Sequence, residues 1–157
     1  MTPESLIKTT DQLNSLSQTI QATMQSSSAT ERPPPRVFAV YLASFFQYNI
    51  DQGGFAQLLY NAHGDNLPEI EDMLMAANAS TALQCYREAI SLCTSDIDAY
   101  QTFIGSDYIS PSDLKNALHG VSIEYFRLGS SFLAEAAGFI DESGEIVAAW
   151  VRQQEEI

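Results

Sequence analysis

The chain has 157 residues, 45% of them hydrophobic, and a formal net charge of -13 from 20 Asp and Glu against 7 Lys and Arg. That length suits one ordinary domain with enough apolar side chain to bury a core, which excludes a disordered chain. The charge argues against a role in binding nucleic acid or an anionic membrane, each of which needs a basic patch, and it attracts basic proteins at long range.

Met1 to Arg36 holds three acids (Glu4, Asp11, Glu31) and three bases (Lys8, Arg32, Arg36), so the whole excess lies from Val37 onward, where seventeen acids face four bases. Plain solubility is the simplest use of such a charge, but solubility does not call for this uneven distribution. Leu6, Leu13, Leu16, Ile20 and Met24 recur at helical spacing, and Pro3 with Glu4 suits a first turn. This apolar stripe is narrow, so the helix must lean on the main domain or on a second copy of itself. Ser26 to Arg36 (SSSATERPPPR) ends it, and three consecutive prolines favour an extended, semi-rigid connector over the sharper alternative of a proline-recognition ligand. The organisation expected is a helix and connector over 1–36 and an acidic helical domain over 37–157.

From Val37 to Asn49 the chain is apolar and aromatic (Phe38, Tyr41, Leu42, Phe45, Phe46), which suits a central buried helix. Gly53-Gly54 interrupts it before Phe55, Leu58, Leu59 and Tyr60 resume helical spacing, and His63-Gly64-Asp65-Asn66 is a turn. Leu67 to Ala77 is the next helix, with Pro68 early and Glu69, Glu71 and Asp72 in its first turns, where the helix dipole favours negative charge. Ser80 to Cys93 follows, with Ala82, Cys85, Tyr86, Ala89, Ile90 and Cys93 on its apolar side, and Ser95 or Asp96 caps a short helix through Phe103. Ser110-Pro111-Ser112-Asp113 offers a capping residue, Pro at the first helical position and an acid two residues later. A helical pattern then runs through Phe139 with breaks expected near Gly120 and Gly129, and Asp141-Glu142-Ser143-Gly144 turns into a last helix carrying Ile146, Val147 and Trp150. With no competing strand pattern, the fold class expected is all-α: a single compact multi-helix domain preceded by the N-terminal helix.

Cys85 and Cys93 share one helix, too far apart for a disulfide at about 12 Å, and read as free buried thiols in a reducing compartment. Met1 to Lys8 lacks a signal-peptide pattern, and no apolar run approaches a membrane span, so a cytoplasmic protein is expected. Signs of catalysis are few. His63 and His119 both lie beside glycines, without Cys or His at metal-ligand spacing, and neither a phosphate-cradling loop nor a nucleophile elbow is present. Asp65, Glu69, Glu71 and Asp72 lack the calcium-loop pattern, so no cofactor, no metal and no enzymatic activity are expected. Asp96, Asp98, Asp107, Asp113, Asp141, Glu142 and Glu145 join that cluster as candidate contacts for a basic partner. Acids at helix starts are also explained by the dipole alone, at about 0.3–1 kcal/mol each, but the dipole does not explain the scarcity of bases. Carboxylates about a helical turn apart on a stiff surface can imitate the dense negative charge of duplex DNA.

The stretch from Asn49 to Asp65 (NIDQGGFAQLLYNAHGD) resembles the core motif of the bacterial family of DNA-mimic protein nineteen, matching it at Gly53, Gly54, Phe55, Gln57, Asn61 and Gly64. It departs at Asn49, where a glutamate is expected, and at Gln52, in place of asparagine. The resemblance implies an all-helical acidic domain, in a family that includes a dimeric DNA mimic sequestering a transcription factor; similar small acidic proteins resemble immunity proteins. Gly53-Gly54 is expected to permit a tight helix junction, Phe55 to fill the core, and Gln57 and Asn61 to hydrogen-bond the backbone of that junction. The partner expected is a basic protein, either a DNA-binding protein or a nuclease toxin, with homodimerisation as a further expectation. The third alternative, a small enzyme or ligand-binding domain, requires a deep pocket lined by Tyr60, His63 and Asp65.

Overall fold

The computed structural model describes residues 2–26 and 32–155, and among them it shows seven helices and no strand. They are α1 (Pro3–Ser26), α2 (Pro35–Ala62), α3 (Leu67–Ala76), α4 (Ser80–Ser95), α5 (Ile97–Ile104), α6 (Asp113–Arg127) and α7 (Phe132–Glu155). The all-α expectation holds, and the helices share one core.

The Thr2 hydroxyl opens α1 by accepting the Ser5 N–H at 3.1 Å. Thr9, Leu13, Ser17 and Ile20 then form its buried stripe, and the helix packs on α7 and α2, so it leans on the rest of the chain. Leu6 and Met24, expected on that stripe, are exposed. Much of the expected connector, residues 27–31, lies outside the described residues. Beyond it Pro34 is extended (φ -52, ψ 150), and Pro35 starts α2 with its pre-set φ.

The central helix is α2, packed against α1, α3, α5, α6 and α7. It bends at Gly54, whose φ of 68 and ψ of -159 fall where a side chain is not tolerated. A Cβ there would sit 2.3 Å from Ser122 Oγ, so the position is closed sterically as well. That hydroxyl is close because it accepts the Phe55 N–H at 2.8 Å, satisfying the donor at the bend from α6. Gln57 and Asn61 were expected to serve this junction. Instead their amide groups donate to Asn49 Oδ1 at 3.2 and 2.7 Å, while Asn49 Nδ2 donates to Phe45 O at 2.8 Å. The reason is tertiary: Ser122 already occupies the junction, and the two amides clamp the bend from the side by gripping a residue in front of it.

Three further boundaries differ from expectation. Ser112, not Ser110, caps α6 by accepting the Lys115 N–H, which leaves Pro111 outside the helix and Asp113 as its first residue. Gly120 does not break α6, since one exposed helical glycine costs only about 1 kcal/mol and the apolar face continues through Leu118, Val121 and Tyr125. Asp141 to Gly144 is no turn but the middle of α7, because Phe139, Ile140, Ser143, Val147 and Trp150 keep one buried stripe in register across it. The real break is at Gly129, with φ 72.

The core is aromatic. Phe46 of α2 meets Phe132 of α7 at 4.9 Å between ring centroids, Phe55 at 6.2 Å and Tyr86 of α4 at 6.5 Å, and Phe55 meets Tyr125 of α6 edge-on at 5.7 Å. Buried tyrosines also satisfy backbone at helix ends: Tyr100 donates to Leu59 O and accepts the Gly64 N–H, and Tyr86 donates to Leu67 O.

Substituting Gly54→Ala should therefore destabilise the protein by about 3 kcal/mol or more in urea unfolding, whereas Gly120→Ala, with open space around it, should stabilise by about 0.5–1 kcal/mol. Asn49→Leu, which leaves two amides without their acceptor, should cost about 1–3 kcal/mol in the same measurement.

Candidate interaction surface

The nominated carboxylates come from several elements. Asp65 lies in the turn before α3, Glu69, Glu71 and Asp72 on α3, Asp96 and Asp98 at the start of α5, Asp107 in the following loop, Asp113 at the start of α6, and Asp141, Glu142 and Glu145 along α7. All are exposed except Glu69 and Glu71, which are half-buried. The fold brings Glu69 and Asp72 onto the wall of one groove and turns Glu71 away toward α4. The acids of α5 and of α7 stand on separate helices, the first packed on α2, α4 and α6, the second on α1, α2 and α4.

Some of these acids also have local work. Asp96 caps α5 through the Ala99 N–H at 3.0 Å. Asp107 accepts both the N–H and the hydroxyl of Ser110, and those hydrogen bonds hold its carboxyl below the usual range. One structural acid escaped the sequence reading altogether. Glu135 of α7 accepts the Thr81 and Ala82 N–H groups at 2.9 and 3.2 Å, capping α4, whose own N-cap residue Ala79 has no side chain for the purpose. Only the spatial approach of α7 to α4 assigns it that job.

The bases are largely engaged elsewhere. Among the described residues three ion pairs form: Arg87 with Glu71 at 3.0 Å, Arg127 with Glu124 at 3.7 Å and Arg32 with Glu69 at 4.0 Å. Surface pairs of this kind contribute at most about 1 kcal/mol. Lys115 lies 4.2 Å over the Tyr108 ring and donates to Tyr108 O. Arg36 stacks 3.9 Å over Phe139 and donates to Ser143 Oγ and Phe139 O; burial pulls its pKa down, partly countered by Glu142. Asp65, Asp72, Asp98, Asp113, Asp141, Glu142 and Glu145 have no ion-pair partner among the described residues.

Between Arg32–Leu42 and α3 runs an open groove of about 530 Å³. Phe38, Ala39, Leu42, Met73 and Ala76 give it an apolar floor, with Glu69 and Asp72 on its α3 side. No periodicity in the sequence points to it, because its two walls are about thirty residues apart in the chain. A smaller cavity of about 190 Å³ takes Asp65 and Asn61 into its lining with Tyr41 and Phe45. His63 is exposed, caps α2 in the left-handed conformation (φ 54) and keeps Nδ1 2.9 Å from Tyr60 O, while Tyr60 donates to Ser106 O. The deep pocket lined by Tyr60, His63 and Asp65 that an enzyme reading requires does not coincide with either cavity. Among the described residues no group of three His, Cys, Asp or Glu side chains is placed to hold a metal. Cys85 and Cys93 are free and buried in α4, as expected, and burial pushes both thiols up, Cys93 to about 11.

A family model of DMP19-like proteins matches residues 31–154, a span that takes in the bent helix, its glycine pair and its amide clamp. The chain belongs to the DMP19-like protein family. The match extends well past the Asn49 to Asp65 motif into α7. At position 49 a glutamate would still accept from Gln57 and Asn61 but would offer no donor to Phe45 O, so Asn49 suits both sides of the clamp. No curated protein and no solved structure matches the chain. No helix among the described residues is long and apolar enough to cross a membrane.

The buried acids of the core set an alkaline limit. Burial raises Tyr125 from 10.0 to about 12 and Cys93 from 9.0 to about 11, so both fold in the protonated form. The stability they contribute is whole below pH 9 and is lost as the pH rises through their folded values. Urea midpoints should fall steadily across that range, and Cys93→Ala should flatten its lower part.

Proposed function

We propose that this DMP19-like protein is a non-enzymatic DNA mimic, which occupies the basic face of a DNA-binding protein in place of the duplex. The observation that carries the reading is the exposure of carboxylates without neighbouring cations, on helices stiffened by a common core, while Arg36, Arg87, Lys115 and Arg127 are held by aromatic faces, backbone or single glutamates. Charges fixed on rigid helices lose little entropy on docking, and their field reaches a cationic partner about 10 Å away at ordinary ionic strength. Family membership supports the same reading.

Partners captured on the immobilised protein at low salt should be released by duplex DNA as well as by salt. Retention of the partner against excess duplex removes the reading; one-to-one inhibition of a captured nuclease, undisturbed by DNA, turns it toward toxin neutralisation. The double substitution Glu69→Lys and Asp72→Lys should slow association about tenfold at low salt, measured by surface plasmon resonance, with unfolding free energy lowered by no more than about 2 kcal/mol. An unaltered on-rate excludes α3 from the contact.

A further inference from the structure

We propose that the groove between Arg32–Leu42 and α3 seats an apolar side chain of the basic partner, taken from a segment in which Lys or Arg residues flank Leu, Met or Phe. The inference rests on the proposed function and specifies where the partner is held. Electrostatic attraction alone brings proteins together quickly but lets them part quickly; residence comes from apolar surface withdrawn from water. The groove offers such surface beside the carboxylates of Glu69 and Asp72. Its floor is Phe38, Ala39, Leu42, Met73 and Ala76, and about 530 Å³ is room for one or two large side chains.

Its charges select the neighbours of that side chain. Asp72 is exposed on the α3 wall and has neither an ion pair nor a hydrogen bond among the described residues. Glu69 beside it is matched only by Arg32 at 4.0 Å, with both side chains about half exposed (44% and 56%). The two arginines do not cancel this preference. The Arg32 guanidinium carbon lies 4.6 Å over the Phe38 ring, and Arg36 is drawn off to Phe139 and Ser143 of α7. An incoming anion would meet Asp72 without compensation, whereas an incoming Lys or Arg completes a pair there while its aliphatic stem lies along the floor.

The test uses two fluorescent peptides of equal length and equal lysine content, one carrying leucines at helical spacing and the other serines at the same positions. At about 0.15 M salt the leucine peptide should bind at least about tenfold more tightly. Ala39→Trp, which fills the groove without touching a charge, should abolish that difference, chiefly by weakening the leucine peptide. Ala76→Trp, on the α3 side of the same floor, repeats the test if the first variant loses helicity. Asp72→Lys should weaken both peptides. Equal binding of the two peptides, or a leucine preference that survives both tryptophan variants, overturns the groove while the acidic-surface reading stands. Failure of either peptide to bind, even at low salt, overturns both.

Discussion

Around Gly54 the central helix changes direction, and three groups make that possible: a residue without Cβ, the Ser122 hydroxyl that takes the freed Phe55 N–H, and Asn49, which holds Gln57 and Asn61 across the bend. A straight helix of 28 residues would offer one face to one layer of neighbours. Bent, it points Phe46 at α7 and α4 and sends Phe55 and Tyr60 to α6 and α5. The remaining helices are arranged by this one constraint, and so is the groove, whose one wall is the start of α2.

The outside of the molecule works against its inside. A net charge of -13 repels itself and lowers the stability of any compact state. The fold offsets part of that cost by placing acids where backbone dipoles favour them, as at Asp96, Asp113 and Glu135. Cations are not distributed as evenly: Arg36 and Lys115 serve packing on Phe139 and Tyr108, and so do little to neutralise the surface around them. Stability comes from the aromatic core, and most of the acids stay exposed at its surface.

What the sequence disclosed was local. Apolar periodicity located most of the helices, and Asp96 and the turn at His63–Asn66 announced ends that the structure keeps, whereas Pro35 and Arg36, read as connector, open α2. The glycine pair flagged the bend, and the acids were legible one by one. The errors share a physical origin. Gly120, Gly144 and the acids at Asp141 and Glu142 look like interruptions in a window, but a buried stripe continuing on either side outweighs a cost of about 1 kcal/mol. The roles of Ser122, Asn49 and Glu135, and the groove itself, are long-range facts: each depends on which helices lie side by side, and periodicity carries no information about that.

The cap that Glu135 places on α4 spans 54 positions to reach Thr81. During synthesis α4 leaves the ribosome with its first amides bare, and they stay bare until the closing helix arrives. The protein cap on the fourth helix is therefore in place only once the seventh has docked. A chain truncated before α7 would lose more than one layer of packing, because a helix already made would fray from its amino end.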